Sequence, residues 1–97
     1  MKNAHQSTAI VVTATGSDSY EVEVKSKTVT HHRVTASPAY LRELGVDAYP
    51  ASRVIHEAFM FLLEHEPNTS ILANFDLREI ERYFPEFPVQ IAGRLKR

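Results

Sequence analysis

The spacing of apolar positions along the chain changes character near residue 37, from strand-like to helix-like. Residues 8–15, Thr-Ala-Ile-Val-Val-Thr-Ala-Thr, are β-branched or small and carry no charge, which favours a strand over a helix. Gly16-Ser17-Asp18-Ser19 is a turn cluster. Tyr20, Val22 and Val24 then alternate with Glu21, Glu23 and Lys25, the period-2 pattern of a strand with one wet face. After Ser26-Lys27 a third run spans residues 28–35. Short loops between consecutive strands predict an antiparallel meander over residues 8–35. Val29 and Val34 differ in parity, so a regular strand cannot turn both inward. A bulge near His31-His32, or burial of half the strand, would reconcile them.

Ser37-Pro38 opens the helical part: the serine oxygen caps free amides, and proline in the first turn loses no hydrogen bond. Gly45 is placed to end this short helix over 38–44, and residues 46–49 connect to the next. The main helix is predicted over 50–66, between Pro50 and Pro67. Val54, Ile55, Ala58, Phe59, Phe61, Leu62 and Leu63 cover more than half of its circumference. Arg53, Glu57, Met60 and Glu64 form the remaining wettable stripe. Such a helix belongs at the centre of the core, or is shared with a second subunit. Asn68-Thr69-Ser70 offers a cap for a brief turn carrying Ile71, Leu72 and Phe75. Asp76 with Glu79 forms an acidic capping box ahead of a helix over 77–84, which Pro85 halts. Pro88 argues against a helical restart before residue 89, so 92–97 reads as a frayed basic tail. Residues 1–7 read as a second tail.

The expected architecture is α+β: a three-stranded antiparallel meander packed against a central helix and a short C-terminal helix. Ninety-seven residues with 43% apolar and 24% charged side chains fit a single domain over 1–97. The lack of cysteine excludes disulfides, thiolate zinc sites and a cysteine nucleophile, and it fits a reducing compartment. No apolar run approaches the ~18 residues of a membrane span, and the N-terminus lacks the apolar core of a signal peptide. A cytoplasmic protein with no membrane partner is expected. A net charge of −1 argues against a general nucleic-acid binder. That charge is unevenly spread: residues 34–93 carry four basic and nine acidic side chains, and Arg94, Lys96 and Arg97 follow.

Histidine is the first place to look for chemistry. His56-Glu57 and His65-Glu66 lie on one helix, but a zincin needs its second histidine four residues after the first, where Met60 stands. His31 and His32 are adjacent in a strand and point to opposite sides, so they cannot chelate jointly. They are expected on a sheet surface or rim, and no metal or cofactor is expected. An enzyme would need His31, His32 or His56 to meet a buried carboxylate. The carboxylates Asp76, Glu79, Glu81 and Glu86 cluster, yet Asp76 and Glu79 already have a capping role, and Glu81 is expected on the solvated side. Gly16, Gly45 and Gly93 are too scattered for a phosphate loop, and no nucleophile elbow exists.

Phe75, Tyr83, Phe84 and Phe87 place four rings within thirteen residues. They complete the core against Phe59, Leu62 and Leu63, or else part of them forms an exposed apolar patch; the partner-contact candidates are Tyr83, Phe84 and Phe87. The order strand, short helix, turn, longer helix over 30–66 also resembles the ribbon-helix-helix repressors. Their paired strands enter the major groove, which makes Thr30, His32 and Arg33 the candidate DNA contacts. Arg33 is the only cation this strand offers, and two preceding strands would compete for pairing.

The run Phe59-x-Phe61-Leu62-Leu63-Glu64-x-Glu66-Pro67-x-x-Ser70-Ile71-Leu72-x-x-Phe75-Asp76-Leu77-x-x-Ile80-x-Arg82-Tyr83-Phe84-Pro85-Glu86-Phe87 resembles the ending of a family of small bacterial proteins of uncharacterised role. Pro38 to Leu41 resembles the helix start typical of its members. The resemblance spans about residues 28–87 and implies a shared fold and a bacterial source, with no activity or catalytic residue attached. The function expected is a non-enzymatic protein–protein interaction module that associates with itself. A DNA-binding regulator and an enzyme with a His/carboxylate site are the alternatives.

Overall fold

Four strands form one sheet in the order β1 (Ala9–Ala14), β2 (Ser19–Lys25), β3 (Val29–Thr35), β4 (Asn74–Asp76). The computed structural model describes residues 8–96; the tail expected over 1–7 and Arg97 lie outside the described residues. The first three strands are the expected antiparallel meander. β4 was not anticipated. It runs parallel to β3, with Val34 opposite Phe75, and the connection between them carries two helices. A parallel neighbour requires such a crossover, so no short-range pattern announces it.

No bulge interrupts β3. Its pairing with β2 runs unbroken from Ser19↔Thr35 to Lys25↔Val29. The parity conflict resolves the other way: Val29 faces solvent at 49% exposed, and Thr30, His32 and Val34 point inward. The inner face is completed by Ile10 and Val12 from β1, by Tyr20, Val22 and Val24 from β2, and by Phe75 from β4. The outer face carries Val11, Glu21, Glu23, Lys25, His31 and Arg33, with cross-strand pairs Glu21–Arg33 at 2.6 Å and Glu23–His31 at 3.9 Å.

The helices cover the inner face. α1 (Pro38–Glu43) starts as expected, with the Tyr40 N–H donating to Ser37 Oγ at 3.1 Å. It ends on Gly45, at φ 72°. The Gly45 N–H reaches the Arg42 carbonyl and the Val46 N–H the Leu41 carbonyl, the paired bonds that a left-handed glycine makes possible. α2 (Ala51–Leu63) is the core element. Val54, Ile55, Ala58, Phe59 and Phe61 are essentially unexposed, and full burial of each large side chain is worth about 1.5–3 kcal/mol. Its wet stripe is the expected one: Arg53, Met60 and Glu64 are exposed and Glu57 is half-buried. A short 3₁₀ turn (Asn68–Ser70), β4 and a second 3₁₀ turn (Leu77–Glu79) lead into α3 (Ile80–Tyr83). The Asp76/Glu79 capping box forms there.

The chain then restarts a helix, contrary to the expectation from Pro88. α4 (Phe87–Leu95) places Pro88 in its first turn, where an N–H has no intrahelical acceptor to lose. Phe87, Ile91 and Leu95 recur every four residues and are buried against α2 and its surroundings, so residues 92–95 are packed helix rather than frayed tail.

Candidate functional site

An apolar concavity lies where the end of α2, the 68–73 segment, β4 and α3 meet. Leu62, Ile71, Leu72, Phe75, Ile80, Tyr83 and Phe84 line it, with Glu66, Ser70 and Glu79 completing the wall. Its volume is about 260 Å³. That is below the ~300–1,000 Å³ of sites for drug-sized molecules and cofactors, and suits one or two inserted side chains. Leu72 is 49% and Tyr83 63% exposed, so large apolar surface stands at the mouth. The lining includes two carboxylates and no cation.

A buried polar network holds the wall in place. His32 is 3% exposed, its ring tilted against Phe59 at 5.3 Å between centroids. A carbonyl oxygen only accepts, so the 2.8 Å contact to the Leu72 carbonyl places the ring proton on His32 Nδ1. Nε2 then accepts from the Thr30 hydroxyl at 2.9 Å. Thr30 Oγ1 in turn accepts from Asn68 Nδ2 at 2.9 Å, whose second hydrogen goes to the Thr28 carbonyl at 2.9 Å. Both His32 ring nitrogens, the Thr30 hydroxyl and the Asn68 amide nitrogen have partners, and β3 is thereby tied to the segment that presents Leu72. Asn68, expected to cap a turn, is 6% exposed and spends its side chain on this network instead.

A second cluster joins α1 to α3. Tyr40, 1% exposed, donates its hydroxyl to Glu81, which is half-buried rather than on the solvated side. Burial first, then this hydrogen bond, pushes the Tyr40 pKa well above its ordinary value. Arg78 lies 4.5 Å over the Tyr40 ring and holds both Glu43 oxygens at 3.2 Å. Its hydrogen bonds, and then its charge, pull the Glu43 carboxyl below the usual value of 4.5. A tyrosine held in its protonated form and an exposed ion pair do structural work here.

The candidate residues are dispersed. Of the partner-contact trio, Tyr83 is exposed at the groove, Phe84 is half-buried beside it, and Phe87 is fully buried, 5.6 Å from Phe61. Phe87 is therefore core and not a contact. Phe75 packs on Phe59 at 6.0 Å and Phe84 on Phe61 at 5.6 Å. Of the DNA-contact trio, Thr30 and His32 point inward and are consumed by the network, which also corrects the expected surface place for His32. Arg33 is exposed but bound to Glu21. β3 is paired with β2 along its whole length and with β4 over Arg33–Thr35, so it is an interior strand of the sheet. Neither His32 nor His56 pairs with a carboxylate among the described residues. His65 is exposed and stacks on Phe61 and Phe84, each at 4.8 Å. No three metal-ligating side chains gather among the described residues, and no described helix is long and apolar enough to cross a membrane.

Ile71 and Leu72 line the groove without a functional mark in the sequence. The available signal was an apolar pair in a turn after Pro67, which reads equally well as core. Comparison with known proteins adds no further constraint: no family model, curated protein or solved structure matches the chain.

Proposed function

We propose that the protein is a non-enzymatic interaction module of the bacterial cytoplasm that binds an extended segment of another protein in the Leu72/Tyr83 groove. The observation that carries this is the mouth: two large apolar side chains are left in water beside a recess sized for side chains. Glu66 and Glu79 on the rim favour a segment that combines one or two large apolar residues with a lysine or arginine. Self-association, the other half of the reading, falls on a different surface.

Selection from a displayed heptapeptide library tests the groove. Enriched sequences should pair an aromatic or leucine with a basic residue, and their synthetic peptides should lose binding at least tenfold on Leu72→Asp. Val29→Asp, on the outer face of the sheet, should leave binding unchanged. Equal binding by both variants would refute the assignment.

A further inference from the structure

The two edges of the sheet are unlike. β4 is three residues long, and a very short edge strand is a common protection against unwanted pairing. β1 is six residues long, Ala-Ile-Val-Val-Thr-Ala, with no charge, no proline and no bulge, and its pairing to β2 is regular throughout. The Thr15 N–H donates to the Ser19 carbonyl at 2.9 Å. Counting back by twos, Thr13, Val11 and Ala9 direct their backbone groups to β2. Ile10, Val12 and Ala14 direct theirs away from β2, where they make no hydrogen bond to another described residue. Val11 stands on the outer face of this edge, 47% exposed.

We infer that β1 is a self-association edge: two copies of the chain pair antiparallel through it, forming one eight-stranded sheet. A second copy is the occupant that fits. A two-fold arrangement uses the open edges of both chains together and leaves only the short β4 at either end, so the assembly closes at a dimer. It brings no like charges face to face, because β1 has none. Register follows from side-chain direction. Directly opposed residues share a face, so the inward Ile10 and Val12 must meet inward residues of the second copy. Placing Ile10 opposite Val12 of the second copy sets Val11 against its own counterpart and covers the exposed valine. Val11 sends its backbone bonds to β2, so the Val11 pair is of the close, non-hydrogen-bonded kind, with Cα atoms about 4.5 Å apart. The grooves would lie at the two far ends of the sheet. This inference rests on the interaction-module reading only for self-association, and its assays do not involve the groove.

Analytical ultracentrifugation of the full chain at tens of micromolar should give twice the 11.0 kDa of one chain. Val11→Lys would set two ammonium groups opposite each other on a surface position the monomer tolerates. The variant should keep its far-UV circular dichroism and weaken dimerisation at least tenfold. Because the chain has no cysteine, Val11→Cys gives an unambiguous second test. The expected Cα separation falls within the 4.4–6.8 Å that a disulfide spans, so mild oxidation should cross-link it to a dimer, and Thr13→Cys should not cross-link. A wild-type monomer at these concentrations would overturn the inference, as would a dimer that Val11→Lys leaves intact. Cross-linking of Thr13→Cys in preference to Val11→Cys would overturn the register.

Discussion

Replacing His32 with leucine probes the link between the buried network and the groove. Leucine fills a comparable volume on the inner face and keeps apolar contact with Phe59, but supplies neither ring nitrogen. The Leu72 carbonyl then loses the Nδ1 donor 2.8 Å away and becomes an orphaned acceptor. An unsatisfied buried group of this kind costs about 1–3 kcal/mol. Thr30 keeps the bond it accepts from Asn68 but loses the acceptor for its own hydroxyl proton, a smaller cost for a half-buried group that can rotate. Lost ring–ring contact with Phe59 adds about 0.5–1.5 kcal/mol, which added leucine burial largely offsets. A net loss of about 2 kcal/mol should lower the Tm by about 8–16 °C in a domain of this size, read by calorimetry or circular dichroism. The more specific sign is local: amide exchange at Leu72 and Ala73 should accelerate beyond the global change, and groove binding should weaken. His32→Asn, whose amide nitrogen sits near the position of Nδ1, should recover part of the local protection. A Tm drop under about 4 °C with unchanged exchange at residues 71–73 would show that the network does not hold the groove wall.

The remaining predictions concern other contacts. Phe87→Ala should cost about 3–5 kcal/mol, seen as a lower denaturant midpoint, because the ring is fully buried against Phe61; a surface-like loss under 1 kcal/mol would contradict a packed α4. Tyr40 ionises less readily folded than unfolded, so its contribution is complete below pH 10 and declines as pH rises toward its folded pKa. The limiting slope is about 1.4 kcal/mol per pH unit, and Tyr40→Phe should flatten the stability profile above pH 10 in parallel melts. Glu43 has the opposite sign: its folded pKa is lowered, so its contribution is present above pH 4.5 and lost as pH falls through the folded value. Arg78→Met should return the Glu43 carboxyl titration, followed by carbon-detected NMR, to about 4.5.

The strands and the central helix were legible because their signals are local. Glu21, Glu23 and Lys25 alternate with Tyr20, Val22 and Val24, and the apolar face of α2 repeats at helical spacing. β4 was not legible: three residues carry no period, and Phe75 becomes a strand residue only because Val34 lies beside it. α4 was legible and misread. Phe87, Ile91 and Leu95 are evenly spaced, but Pro88 reads as a barrier in the sequence, although a first-turn proline is harmless. His32 defeats inspection for a different reason. Its inward orientation depends on Leu72, forty residues away, together with Thr30 and Asn68, and polarity alone argues for the surface. The groove inherits that difficulty, since its mouth depends on the segment the network holds. The Tyr83 ring marks it in the sequence; Leu72 carries no such mark.

The most direct measurement is a heteronuclear NMR titration of the full chain with a peptide recovered from the displayed library. Saturable shifts concentrated on Ile71, Leu72, Ile80, Tyr83 and Phe84, with β1 and the outer sheet face unmoved, are the predicted result. Shifts confined to the outer face or to β1, with those five residues silent, would contradict it.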